Sequence, residues 1–96
     1  MIFAALNYKG EYSARHGLLV KQLSSEFEDV EEGLQGDSWI LIRENGEKVS
    51  VDSFTSMQHE VKAADKDNTL APRVIAALEN FYSVTIHDPP QPEGHE

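Results

Sequence analysis

"SWILIRENGEKVSVDSF" (Ser38–Phe54) decides how this chain folds. Two runs rich in β-branched and aromatic residues flank Asn45-Gly46, a dipeptide that signals a tight hairpin turn. The open question is which residues face a core. A two-residue turn at Asn45-Gly46 sets Glu44 opposite Glu47 and Arg43 opposite Lys48, two like-charge pairs. A three-residue turn, Glu44-Asn45-Gly46, pairs Arg43 with Glu47, Leu41 with Val49 and Trp39 with Val51. Electrostatics favours the second register. It gathers Trp39, Leu41, Val49 and Val51 on one face and leaves Ile40 and Ile42 beside Lys48 and Ser50 on the other. Either way both faces carry apolar side chains. With helices on one side only, part of the set Trp39, Ile40, Leu41 and Ile42 is expected to be exposed, and an exposed apolar sheet face marks an interaction surface.

Upstream, Leu19, Leu23, Phe27 and Val30 fall at helical spacing and predict a helix over 14–32, stopped by Gly33. Its last turns would hold Glu26, Glu28, Asp29, Glu31 and Glu32, where negative charge opposes the helix dipole. Such a run is either a solvated face or a dock for a basic partner, and Glu28, Asp29, Glu31 and Glu32 are kept as candidate contacts. Residues 2–8 alternate weakly, as a strand does. Downstream, Phe54, Met57, Val61 and Ala64 have helical spacing, whereas Met57, His59 and Val61 alternate, so 54–64 is a short helix or an edge strand. Residues 65–68 form a loop. Thr69 caps a helix with Pro72 in its first turn and a broad apolar face of Leu70, Val74, Ile75, Leu78, Phe81 and Tyr82. Residues 83–88 form a last strand, and 89–96 a disordered proline-containing tail.

The predicted fold is a small α+β two-layer sandwich of residues 1–88, a single domain. Its order is βαββαβ, the split β-α-β arrangement of ferredoxin-like domains, with the second helical segment whole or broken in two. Without the first strand the order becomes αββααβ, which resembles class II KH and BolA-like domains. The resemblance is one of element order, and fold alone does not give function.

Composition narrows the function. The 96 residues contain no cysteine, which excludes disulfides, a thiolate nucleophile and cysteine-based metal centres. Seventeen acidic against eight basic side chains give a net charge of −9, and no two basic residues are adjacent. Such a chain repels phosphate backbones, so direct nucleic-acid binding is not expected. The string Gly33-Leu34-Gln35-Gly36 matches the GxxG loop of KH domains, but it follows an acidic run where that loop needs basic neighbours. The short apolar run Ile2–Leu6 is no signal peptide or membrane span, and a cytoplasmic location is expected.

The four histidines lack metal-ligand spacing, and no metal or cofactor is expected. Asp52, Ser56 and His59 provide the residue types of nucleophilic catalysis without a G-x-S-x-G elbow. Pro89-Pro90-Gln91-Pro92 has the P-x-x-P form but no nearby basic residue. The leading expectation is therefore a non-enzymatic protein-interaction or regulatory module that binds another protein or itself, as a homodimer through the sheet face. The alternatives are an acidic decoy of a nucleic-acid-binding protein, and a small enzyme or metabolite binder using Asp52, Ser56 and His59.

Overall fold

A computed structural model describes residues 1–93. Six strands and two helices follow the order β1 (Ile2–Asn7), α1 (Tyr12–Ser24), β2 (Asp29–Gln35), β3 (Asp37–Glu44), β4 (Glu47–Asp52), β5 (Glu60–Lys62), α2 (Leu70–Glu79) and β6 (Ser83–Gln91). The strands form one sheet in the order β2-β3-β4-β5-β1-β6, and each neighbouring pair is antiparallel. Both helices pack on one face. Leu19 and Leu23 of α1 and Leu70, Val74 and Leu78 of α2 meet Ala4, Leu6, Ile40, Ile42, Val49, Val51 and Val61 of the sheet. The α+β class holds. The expected order is extended by two strands, β2 and β5, and β1 is present, contrary to the αββααβ alternative.

The hairpin takes the register that charge pairing disfavoured. Ile42 pairs with Val49, Ile40 with Val51, Arg43 with Lys48 and Glu44 with Glu47. Asn45 (φ 52) and Gly46 (φ 81) both occupy the left-handed region, as a two-residue type I′ turn requires. Burial explains the choice. Ile40, Ile42, Val49 and Val51 all have zero exposure on the helix-covered face. Each buried aliphatic side chain contributes about 1.5–3 kcal/mol, whereas a like-charge cross-strand pair costs at most about 1 kcal/mol. The charges also find other partners. Arg43 bonds to Glu31, Arg73 of α2 to Glu44, and Thr69 donates to Glu47. Ile40 and Ile42, expected among the exposed contact residues, are thus core residues.

The expected helix over 14–32 is shorter. Helix α1 closes at Ser24, where the amide groups of Glu26 and Phe27 bond to the Leu23 carbonyl (3.1 and 2.9 Å). The acidic run from Asp29 onward instead extends as β2 and covers the free edge of β3. That placement removes the conflict with the helix dipole and gives the β3 backbone a partner. Gly33 is no helix stop. It lies opposite Trp39, and an added Cβ would come 2.5 Å from the indole ring. The indole therefore covers the glycine from the neighbouring strand.

Residues 54–64 form neither a helix nor a long strand; only Glu60–Lys62 is a strand, after an irregular loop. Helix α2 begins where expected, with Pro72 in its first turn. Its cap comes from the Asn68 side chain, which accepts bonds from the amides of Leu70 and Ala71 (2.9 and 2.8 Å). Thr69, the expected cap, is drawn to Glu47 instead. Strand β6 runs to Gln91, which pairs with Ile2, so the expected tail boundary at residue 88 is three residues early. The last three residues of that tail, 94–96, lie outside the described residues.

Candidate functional site

The helix-free face of the sheet displays Trp39, Leu41 and Arg43 of β3, with Asp29 and Glu31 of β2 alongside. Trp39 and Leu41 are half-buried, so this face is less exposed than the sequence implied. Part of it is covered from within. Phe54, Thr55 and Glu93 close over Lys62 and Asp52, whose side chains are each only 5% exposed. The Lys62 ammonium contacts Asp52 at 2.7 Å, Glu93 at 2.9 Å and the Thr55 hydroxyl at 2.8 Å. Burial pulls the Lys62 pKa down, but the bonds to Asp52 and Glu93 outweigh it, so it lies above the ordinary lysine value. Glu60 lies 4.0 Å from Lys62, with one buried oxygen that has no hydrogen-bond partner. Burial accordingly pushes its carboxyl pKa up, against the pull of Lys62.

The helix-covered side holds a different polar group. His16 of α1 contacts the Ser38 hydroxyl through Nδ1 (2.5 Å) and Glu32 through Nε2 (2.6 Å). His59 contacts the same hydroxyl through Nε2 (2.7 Å) and the Tyr8 hydroxyl through Nδ1 (2.8 Å). Ser53 joins through its Oγ, which accepts from the Ser38 amide (3.0 Å). Ser38 and His59 have zero exposure and His16 6%. Burial, assisted by charge on His16 and opposed by Asp52, lowers the His59 pKa to about 4, so it is neutral near pH 7. A serine beside a histidine beside a carboxylate has the membership of a catalytic triad. No substrate can reach a serine hydroxyl buried this completely, so the arrangement is a buried network rather than a nucleophile.

The expected catalytic trio does not assemble. Asp52 faces Lys62, and the Ser56 hydroxyl accepts from the Gln58 amide in an exposed loop. His59 turns inward to Ser38 and Tyr8. Among the described residues no hydrogen bond joins any two of the three. His16 and Ser38 went unread in the sequence because they lie 22 residues apart and only the fold brings them together. Among the described residues no group of three or more His, Cys, Asp or Glu is placed to hold a metal ion, and no helix is long and apolar enough to cross a membrane.

The acidic candidates sit together at one corner. Glu28 and Asp29, with Glu26, Glu44 and Glu47, line an open groove of about 710 Å³ that also takes in Arg43 and Lys48. Glu31 follows on the open face and is bound by Arg43. Glu32 points to the helix side and is tied to His16. Strand β2, which carries Asp29, Glu31 and Glu32, is one edge of the sheet, and among the described residues it pairs only with β3. No family model matches the chain, and no curated protein or solved structure matches it significantly.

Proposed function

We propose that this chain is a protein-binding module that receives an extended, basic segment of a partner along the edge strand β2. The observation that carries this reading is an edge of seven residues without proline, flanked by a groove of five carboxylates against one arginine and one lysine. An edge strand offers a row of backbone donors and acceptors for strand addition. The three carboxylates of the edge, Asp29, Glu31 and Glu32, discourage random pairing yet suit a lysine- or arginine-bearing segment. The opposite edge is unlike it, because Pro89 and Pro90 of β6 have no amide proton to offer.

The same charges argue against a homodimer through β2. Two copies side by side would bring Asp29, Glu31 and Glu32 of each against those of the other, and like charges directly opposite are destabilising. A basic surface on a nucleic-acid-binding protein is one form such a partner takes, which retains the decoy idea within the same chemistry. The enzymatic reading has no comparable support, since Asp52, Ser56 and His59 point in different directions.

A titration of the labelled protein with a synthetic peptide of alternating lysine and valine tests the proposal. Amide perturbations should concentrate in residues 29–43, and binding should weaken steeply as salt rises through about 0.15 M. Perturbation centred elsewhere, or an affinity indifferent to salt and to Glu31→Lys, would remove β2 as the docking line.

A further inference from the structure

The hydrogens of the buried network can be assigned link by link. An ionised Glu32 only accepts, so His16 Nε2 carries a proton and donates it across 2.6 Å. In a neutral His16, Nδ1 is then an acceptor for the Ser38 hydroxyl at 2.5 Å. That hydroxyl has spent its one proton and accepts from His59 Nε2–H at 2.7 Å. His59 Nδ1 is left to accept from the Tyr8 hydroxyl at 2.8 Å. Every link holds one proton, all run in one direction, and both imidazoles are Nε2–H tautomers.

One extra proton can be added without leaving a link empty or charging His59. It enters at the oxygen of half-buried Tyr8, whose own proton passes to His59 Nδ1, so that Nδ1–H then donates to the Tyr8 oxygen and the new hydroxyl proton points outward. His59 Nε2 passes its proton to Ser38, and Ser38 passes its own to His16 Nδ1. Three hydrogens shift, no other bond changes, and the net charge lands on His16 beside the Glu32 carboxylate.

We propose that Tyr8, His59, Ser38, His16 and Glu32 form a proton relay that takes up one proton at Tyr8 and registers it as a His16–Glu32 ion pair on β2. His59 responds by switching tautomer, not by gaining charge. The surroundings favour this distribution. From α1, Arg15 stacks over the rings of Tyr8 and Tyr82 (5.1 and 5.7 Å), which opposes a cation at the Tyr8 end. From β4, Asp52 is the acidic group acting on His59, and it only partly offsets burial. Glu32 is the carboxylate in hydrogen-bond contact with His16. The relay stands independently of the partner reading, although it ends on the same edge strand.

Ring-nitrogen spectra of the full ¹⁵N-labelled chain, recorded through an acid titration until His16 becomes an imidazolium, test it. His59 should pass from the Nε2–H to the Nδ1–H tautomer at the midpoint where His16 becomes an imidazolium. An Nδ1–H His59 at the start, an unchanged His59 through the His16 transition, or a His59 that becomes an imidazolium with it would each overturn the relay. In Ser38→Ala the His16 transition should remain while the His59 switch is lost. Tyr8→Phe, at a partly exposed position, provides the same break should Ser38→Ala fail to fold. Its Nδ1 no longer has a partner, so His59 should stay Nε2–H throughout, and a wild-type switch in Tyr8→Phe would refute the assignment.

Discussion

The two faces of one sheet hold polar groups in opposite ways. Under the helices, His16, Ser38 and His59 form a network in which His59 is neutral near pH 7 and each link is a single hydrogen bond. On the other face, Lys62 and Asp52 are buried as full charges beneath a loop and Glu93. The helix side can exclude water completely, and an uncompensated charge there would face several kcal/mol of desolvation. The open side keeps water within reach, so a lysine among three carboxylates is tolerable. Ile40 and Leu41 make the same contrast in apolar terms. Adjacent in sequence, they point to opposite faces, one with zero exposure and the other half-buried.

That adjacency offers the severest break. Ile40→Glu should unfold the domain, because it drives a carboxylate into the core and removes an aliphatic side chain whose loss alone costs about 2–5 kcal/mol. Leu41→Glu should stay folded. Circular dichroism and urea titration of the pair check this; a folded Ile40→Glu would return the hairpin to the three-residue register. On the open face, Lys62→Met should cost about 3–5 kcal/mol in urea, since Asp52 is left buried without its partner. Combining it with Asp52→Leu should recover most of that loss, and no recovery would mean that Lys62 and Asp52 are not a coupled pair.

Acid sharpens the difference between the two sides. The folded His59 pKa of about 4 lies below its ordinary value of 6.5, so the unfolded chain binds more protons between those two pH values. Stability from this group is complete above pH 6.5 and falls as pH drops, levelling off below about 4 after a loss of about 3 kcal/mol. His59→Phe should flatten that part of the pH–stability curve measured by urea denaturation. A slope equal to wild type would show that His59 is not held neutral.

Two smaller effects belong to β2. Gly33→Ala forces its new methyl against the Trp39 ring, and an overpacked contact of this kind costs about 1–3 kcal/mol. Tryptophan fluorescence should shift as the indole moves aside. Arg43→Ala removes bonds to Glu31 and Asp29 that are about half exposed and screened by solvent, so it should move the urea midpoint the least of these substitutions. Its larger consequence is to leave the acidic edge more negative, and the lysine–valine peptide should bind Arg43→Ala more tightly than wild type.

Much of the architecture was legible. The hairpin about Asn45-Gly46, helix α2 with Pro72 in the first turn, and the last strand follow from local signals that the structure does not oppose, whereas the first strand was one of two alternatives and the two-residue turn was the disfavoured one. The candidate contacts were legible in kind but not in place. Glu28, Asp29, Glu31 and Glu32 are together, but on a strand and the loop before it, and Trp39 and Leu41 share the open face without Ile40 and Ile42. The buried histidine network gave no signal, since Tyr8, His16, Ser38 and His59 have no common period or motif.

By itself, then, the sequence determined the α+β class, the tight turn, the acidic balance and the exclusion of cysteine chemistry, because these rest on residue types and short-range backbone preferences. Only the tertiary structure decided the hairpin register, the conversion of 29–32 from helix to strand, and the pairing of His16 and His59 across Ser38. The physical reason is one of scale. Local preferences differ by about 1 kcal/mol or less, whereas burying four aliphatic side chains of the hairpin under two helices is worth several times that. Where the two disagreed, the core chose the register, and the charges took new partners on neighbouring elements.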